Sequence, residues 1–229
     1  MAEKPRRITI AKDGPYLVTG SLPLTRLVIG VNEQGESVRW ERGDSLPVKE
    51  SYALCRCGRS ARKPFCDGSH AREGFDGTET ASRAPYLEQA EVIDGPMLRL
   101  TDAESLCAFA RFCDPAGRVW NLVGRSDDPE AKRLTEYEAG ACPGGRLVAW
   151  EKTTGKAHEP RLEPQLGLVD DPAQGCSGGI AAWGGIEVVG ADGQAYEVRN
   201  RVTLCRCGES SNKPWCDGTH ASMKFSDRT

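Results

Sequence analysis

The sequence predicts a mostly β protein of the α+β class, with two small β-rich units and a middle region that contains helices. An apolar pattern occurs twice, since GPYLVTGSLPL at 14–24 aligns with GGIAAWGGIEV at 178–188. The 26 glycines and 14 prolines separate short runs rich in valine and leucine, which is typical of strands joined by turns. The stretch between the two copies lacks this pattern and carries helix signals instead.

The repeat divides the chain into three predicted domains, at 1–82, 83–175 and 176–229. The run YALCRCG of the first unit matches VTLCRCG of the second. The first unit has 31 positions from the end of its aligned strand to its first cysteine and the second has 17, which predicts a longer hairpin in the first. Because units of this size bury little by themselves, we expect the two copies to pack against each other.

Two helices are predicted in the middle region. Thr101-Asp102-Ala103-Glu104 has the form of a capping box and predicts a helix that carries LCAFARFC. Asp128 followed by Pro129 predicts the start of a second helix, EAKRLTEYEAGA, which should end at Cys142.

Composition excludes several classes of protein. A net charge of -3 and a pI near 5.8 do not favour nucleic acid as a partner. No apolar run approaches the ~18 residues that span a membrane, and the start MAEKPRRITIAKDG does not resemble a signal peptide. We therefore expect a cytoplasmic protein whose ten cysteines bind metal rather than form disulfides.

Each unit carries three cysteines and one histidine at the same spacing. Two cysteines two positions apart on an extended segment present their sulfurs on one face. The third cysteine and the histidine are four apart and are predicted on one helix, with the cysteine near its N-terminus, where the dipole favours a thiolate. The two candidate ligand sets are Cys55, Cys57, Cys66 and His70, and Cys205, Cys207, Cys216 and His220.

The pattern C-x-C-x2-[ST]-x3-P-x-C-D-G-[ST]-H resembles the CDGSH iron-sulfur family, and both copies match it at every position. The resemblance implies a 2Fe-2S cluster in each copy, with the first two cysteines on one iron and the third cysteine and the histidine on the other. It also implies a pseudo-two-fold arrangement, because the family usually forms a homodimer with two clusters. A structural zinc site is the alternative, since three cysteines and one histidine are a common zinc set.

Four further cysteines lie outside the motifs. Their order, C-x5-C and then C-P-G-G, resembles the single-cluster ferredoxins and implies a third cluster, 3Fe-4S or 4Fe-4S. The amphipathic pattern of LCAFARFC favours cysteines that pack as small hydrophobic residues, which is our expectation. A third cluster, a disulfide and zinc are the alternatives. The four are Cys107, Cys113, Cys142 and Cys176, the last as a fourth ligand.

Together these features predict an electron-transfer protein that is not an enzyme, because no catalytic triad, phosphate loop or paired carboxylates are present. Its expected partner is a redox protein. An iron-sulfur carrier or sensor that passes clusters to an apo-protein is the first alternative, and a structural zinc module is the second. Replacing one thiolate by a neutral imidazole should raise the reduction potential and provide a group that takes up a proton.

Overall fold

The computed structural model describes residues 4–227, and within that range twelve strands form three sheets. The strands are β1 Arg7–Ile10, β2 Tyr16–Thr19, β3 Leu24–Val31, β4 Ser37–Leu46, β5 Tyr52–Leu54, β6 Glu91–Asp94, β7 Leu98–Asp102, β8 Leu147–Glu151, β9 Gln165–Asp171, β10 Cys176–Trp183, β11 Glu187–Val189 and β12 Arg201–Leu204. The helices are α1 Ser69–Arg72, α2 Tyr86–Gln89, α3 Val119–Val123, α4 Pro129–Ala141 and α5 Thr219–Ser222. Among the described helices, none has the length and apolar character needed to cross a bilayer.

Two of the sheets are shared between the repeated units. One has the order β11-β1-β2-β5 and the other the order β12-β10-β9-β3-β4, so each contains strands from both units. The long hairpin β3–β4 is the extra length predicted in the first unit. The predicted mostly β, α+β architecture is confirmed.

The exchange of strands between the units is reciprocal. β1 of the first unit runs parallel to β11 of the second, with Ile8 opposite Val188. In the equivalent contact, β9 of the second unit runs parallel to β3 of the first, with Leu166 opposite Leu24. Two equivalent contacts of this kind are the mark of a two-fold interface. The chain therefore packs its two copies as a pseudo-two-fold pair.

Because the sheets are shared, the two units also share one core. Apolar side chains from both copies, among them Ile8, Tyr16, Leu166 and Ile180, are fully buried in one cluster. The Tyr16 hydroxyl donates a hydrogen bond of 2.7 Å to the carbonyl oxygen of Cys205 in the other copy. Neither copy buries these surfaces without the other, so we expect the two to fold together.

The strand β9 extends the second unit further toward the N-terminus than the predicted boundary at 176. It pairs with β10 as β1 pairs with β2, and it precedes β10 by only a short turn. The sequence of β9 does not resemble that of β1, so the alignment of the copies could not include it. The unit seen in the structure begins near residue 165.

The two motifs touch directly through their glycines. Gly58 has φ +72°, and a Cβ atom added to it would lie 2.2 Å from the carbonyl oxygen of Cys207. Gly208 has φ +90°, and a Cβ atom there would lie 2.5 Å from the carbonyl oxygen of Cys57. At both positions glycine is therefore required for two reasons, the left-handed backbone conformation and the close approach of the other motif.

Replacing Gly58 with alanine should therefore destabilise the pairing of the copies. Gly35→Ala is a matched control, because Gly35 has φ +79° and open space around it. Both changes cost ~1–2 kcal/mol for the left-handed backbone, and Gly58→Ala should cost ~1–3 kcal/mol more for the steric overlap. Urea unfolding of the two variants measures the difference. Equal losses would contradict the direct contact between the motifs.

The middle region forms a small α+β layer of its own. Its three-stranded sheet has the order β6-β7-β8, and α3 and α4 pack on it through a core that includes Leu98, Val119 and Leu147. The helix α4 confirms the second helix prediction, since it covers 129–141. The Asp128 carboxylate caps it by accepting hydrogen bonds from two backbone N–H groups.

The predicted helix over LCAFARFC is wrong. Thr101 and Asp102 belong to strand β7, and after a single 3-10 turn at Glu104–Leu106 the chain forms an irregular loop. Phe109 and Arg111 have φ of 56° and 62°, which a helix does not allow. The Thr101 and Asp102 side chains hydrogen-bond to the side chains of Tyr86 and Trp120 and do not cap a helix. We name residues 107–113 the cysteine loop.

Candidate metal centres

The structure brings the first two cysteines of each motif together. The Sγ atoms of Cys55 and Cys57 are 3.7 Å apart, and those of Cys205 and Cys207 are also 3.7 Å apart. Two thiolates on one tetrahedral metal, with metal–sulfur bonds of about 2.3 Å, have their sulfurs about 3.7 Å apart. Each pair is therefore spaced as two ligands of one metal.

The third cysteine and the histidine form a second pair. The Sγ atom of Cys66 lies 3.4 Å from Nδ1 of His70, and that of Cys216 lies 3.2 Å from Nδ1 of His220. In both pairs the nitrogen beside the sulfur is Nδ1. A sulfur and a nitrogen on one tetrahedral metal are about 3.5 Å apart.

The prediction that the third cysteine and the histidine of each motif lie on one helix is wrong. The helix α1 begins at Ser69, so Cys66 precedes it, and the two are separated by Gly68 with φ 87°. The helix α5 begins at Thr219 after the equivalent Gly218. The tight left-handed turn, and not the helical repeat, carries the cysteine back beside the histidine.

Backbone hydrogen bonds hold the two pairs of each motif side by side. The Cys55 N–H donates to the Pro64 carbonyl at 2.8 Å, and the Cys66 N–H donates to the Ala53 carbonyl at 3.0 Å. The second motif repeats both bonds with its equivalent residues. In each motif these bonds pair the segment of the first two cysteines with the segment of the third cysteine, as in a short antiparallel ladder.

The aspartate of the motif orients the turn, a role that the sequence analysis did not assign. The Asp67 carboxylate accepts hydrogen bonds from the N–H and the hydroxyl of Ser69, at 2.9 and 2.7 Å, and from the N–H of Ala61 at 2.9 Å. These bonds, that of the Ser69 hydroxyl first, hold the pKa of Asp67 below its usual range. The letters D-G-[ST] are the signal that could have revealed this turn.

Most of the donor atoms are buried, and burial shifts their protonation. Burial raises the pKa of Cys57 to about 11 and also raises that of Cys216. It lowers the pKa of His220 to about 4, so this imidazole is neutral and can act as a ligand at neutral pH. Buried thiols ionise when a metal cation offsets the charge, so this donor set fits a metal-containing group.

The two motifs differ in exposure. His220 is only 3% exposed, whereas His70 is half-buried. A Cβ atom on Gly218 would lie 3.0 Å from Cβ of Phe109 in the cysteine loop. The corresponding position on Gly68 has only the end of the Arg72 side chain near it, at 3.7 Å. The cysteine loop thus covers the second motif and leaves the first open.

A third group of cysteines lies in the middle region. Cys107, Cys113 and Cys142 line one pocket. Burial raises the pKa of Cys113 to about 12, and the neighbouring thiols of Cys142 and Cys107 add to this effect. The irregular backbone of the cysteine loop directs side chains 107 and 113 into the same pocket, which a straight helix through these residues would not do.

Arg146 lines this pocket together with the three cysteines. Its guanidinium forms a two-bond ion pair with Asp102, at 2.5 and 2.8 Å. The hydrogen bond to Asp102, and further the sulfur of Cys107, raise the pKa of Arg146. Arg146 therefore places a fixed positive charge beside the three cysteines, where it favours thiolates.

Cys176 is not part of this group. It begins strand β10 and lines a different pocket, beside Asp170 and Ser177. Burial, followed by the charge of Asp171, raises its pKa. The structure therefore gives no support to Cys176 as a fourth ligand, and its surroundings suit a packed thiol.

The ten cysteines of the described residues are all free thiols. Over residues 4–227, no set of three or more Cys, His, Asp and Glu side chains converges on the position of one ion. The donors of the two motifs are instead arranged in pairs, and those of the middle region surround a pocket. Paired donors fit a group with two metals, and three cysteines around a pocket fit a larger cluster.

Comparison with known families identifies all three regions. Residues 13–71 and 178–221 match the family described as iron-binding zinc finger CDGSH type. Residues 93–152 match the family described as divergent 4Fe-4S mono-cluster. No curated protein and no solved structure matches the chain. Two segments that match the CDGSH-type family thus flank one that matches the divergent 4Fe-4S mono-cluster family, and together the matches indicate an iron-sulfur protein.

Proposed function

We propose that the chain carries electrons through three iron-sulfur centres, a 2Fe-2S cluster in each CDGSH-type motif and one cluster in the middle region. The observation that carries the proposal is the pairing of the donors. In each motif two sulfurs at 3.7 Å lie across a backbone ladder from a sulfur and Nδ1 at 3.4 or 3.2 Å. Such a set can give two ligands to each of two irons.

In the middle region we propose a cluster held by Cys107, Cys113 and Cys142. Bacterial ferredoxins use the run C-x2-C-x2-C, and Ala110 stands where that run has its second cysteine. Ala110 lines the pocket together with the three cysteines. Three protein ligands favour a 3Fe-4S cluster over a 4Fe-4S cluster, which normally takes four.

The arrangement of the centres supports electron transfer rather than catalysis on an organic substrate. Cys57 and Cys207 each contact the glycine that follows the other, so ligands of the two motifs are adjacent. The cysteine loop contacts the second motif at Gly218. Neutral imidazole ligands raise a cluster's potential, as in Rieske centres at ~-150 to +300 mV against ~-400 mV for plant-type ferredoxins.

Transfer of whole clusters to an apo-protein is a second candidate function. It is favoured by the exposure of the first motif, where Cys66 and His70 are only half-buried. An experiment separates the two. If the protein carries electrons, it keeps its visible spectrum after reduction by a ferredoxin and reoxidation. If it is a cluster carrier, it loses the cluster of the first motif when it is incubated with an apo-ferredoxin. A colourless protein that contains zinc would contradict both.

Acid should release the cluster of the first motif before that of the second. A proton competes with iron for the histidine nitrogen, and it reaches the half-buried His70 more readily than the buried His220. With the middle cluster removed by Cys107→Ala, adding Cys216→Ser leaves only the first of these clusters and adding Cys66→Ser only the second, so visible absorbance after a drop in pH follows each alone. We expect the first to bleach about tenfold faster or more. Equal rates would show that the cysteine loop does not shield the second motif.

A further inference from the structure

The two motifs differ in charge as well as in exposure. Residues 59–74 hold four basic side chains and two acidic ones, a net charge of +2, whereas the equivalent residues 209–224 hold two of each, a net charge of 0. The basic residues of the first motif are Arg59, Arg62, Lys63 and Arg72, and the second motif has Glu209, Asn212, Lys213 and Ser222 at those positions.

Most of these basic side chains are available to a partner. Arg62 is exposed, and Arg72 is 64% exposed. Arg72 donates a hydrogen bond of 2.8 Å to the Ser69 hydroxyl, directly beside His70. Arg59 is partly neutralised by Glu73 at 3.6 Å and Glu209 at 3.9 Å, and Arg72 by Asp67 at 3.9 Å, but both arginines are exposed and such pairs are weak. The exposed positive charge of the first motif therefore lies on the short segments of chain that carry Cys66 and His70.

The equivalent face of the second motif is occupied within the chain. The Asn212 side chain donates a hydrogen bond of 2.7 Å to the Ser105 carbonyl oxygen in the middle region. Phe109 covers Gly218. The N–H groups of Thr80 and Ala81 both donate to the Lys213 carbonyl, at 2.8 and 2.9 Å. The face of the second motif is thus covered by residues 105–109 of the middle region. Among the described residues, no equivalent segment covers the face of the first motif.

We propose that the open face of the first motif, formed by Arg62, Lys63, His70 and Arg72, is the docking surface for a redox protein with an acidic face. The inference rests on the proposed function, and it names the side on which electrons enter or leave. The second motif then relays between the first motif and the middle region, because it contacts both. Complementary charge accelerates encounter and fixes orientation, which suits a transient complex of this kind.

A plant-type ferredoxin serves as the acidic probe. In the reaction one electron leaves the reduced ferredoxin cluster and enters a cluster of the chain, so that the first is oxidised and the second reduced. The second-order rate is measured by stopped-flow absorbance at several salt concentrations. The Kd of the oxidised proteins is measured separately with fluorescently labelled ferredoxin, because that value does not depend on electron transfer.

The test variant is Arg62→Glu with Arg72→Glu. Its matched control is Arg125→Glu with Lys156→Glu, which changes the net charge equally at two exposed positions of the middle region. The unaltered protein should react about tenfold more slowly at high than at low salt. The test variant should lose about tenfold in rate and in affinity at low salt, whereas the control should stay within about twofold.

Equal losses in both variants, or a rate independent of salt, would overturn the docking surface. Iron and sulfide are assayed in each preparation, so a protein without clusters refutes the proposed function and not the surface. Charge-dependent binding without electron transfer would retain the surface and refute the electron-transfer role. Salt-dependent loss of affinity only in the test variant, with normal cluster content, supports the proposal in full.

Discussion

Replacing Cys66 with serine should remove about half of the visible absorbance that arises from the two CDGSH-type motifs. Cys66 lies 3.4 Å from its histidine partner, and without its sulfur one iron of the cluster keeps only one protein ligand. The second motif has its own four donors and shares none with the first, so its signal should remain. Visible absorbance and iron content of the purified variant measure the loss.

Cys176→Ser is the matched control for this experiment. Cys176 is a free thiol like Cys66, although more deeply buried, and it lines a pocket without any of the other candidate ligands. Its replacement should leave both the spectrum and the iron content unchanged. If Cys66→Ser abolished the signal of both motifs, the two centres would not be separable. If Cys176→Ser removed iron, the assignment of Cys176 as a packed thiol would be wrong.

Replacing Arg201 with methionine should lower the free energy of unfolding by ~3–5 kcal/mol, because it leaves the part-buried Glu159 carboxylate and several carbonyl groups without their buried partner. Arg201 is only 2% exposed, and its guanidinium bonds to the Glu159 carboxylate at 2.8 and 2.9 Å. The same group donates to three carbonyl oxygens at the end of α4, including that of Cys142 at 2.7 Å. The change should therefore also reduce the iron bound in the middle region.

Arg125→Met is the control for Arg201→Met. Arg125 is exposed in the same region of the chain, and its loss should change stability by no more than ~0.5 kcal/mol. Urea unfolding followed by circular dichroism compares the two variants, and iron analysis reports on the middle cluster. A loss below ~1 kcal/mol for Arg201→Met would show that this arginine does not hold the middle region to the second unit.

The local chemistry of the motifs could be predicted because it is contained in short runs of sequence. Cys55 and Cys57 are two apart on an extended segment, and no distant contact is needed to bring their sulfurs together. The cap of α4 is equally local, since Asp128 bonds to the N–H groups of Glu130 and Ala131. Such features follow from backbone geometry alone.

The cysteine loop could not be predicted from its apolar pattern. Thr101 fits a capping box, but in the structure its hydroxyl bonds to Tyr86. Its backbone belongs to strand β7 and pairs with β6, so it does not start a helix. The role of Arg201 was equally invisible, because its partners lie about 40 to 60 positions away in the chain. Contacts over such distances depend on the fold, and single-sequence patterns do not contain them.

The exchange of strands between the units was also beyond the sequence patterns. The repeat indicated that two copies would pack together, but the parallel pairing of Leu24 with Leu166 depends on a strand, β9, that shares no motif with its counterpart β1. The close contact of Gly58 with Cys207 likewise depends on how the two copies pack and not on a sequence pattern. The symmetry appears only when hydrogen-bond registers are compared.

Iron and acid-labile sulfide per chain, measured on protein purified without oxygen, test the central claim of three iron-sulfur centres most directly. Two 2Fe-2S clusters and one 3Fe-4S cluster predict about 7 irons and about 8 sulfides, and the Cys107→Ala variant should retain about 4 of each. About 4 irons in the unaltered protein, with no loss in Cys107→Ala, would contradict the middle centre. Zinc in place of iron, without sulfide, would contradict the whole account.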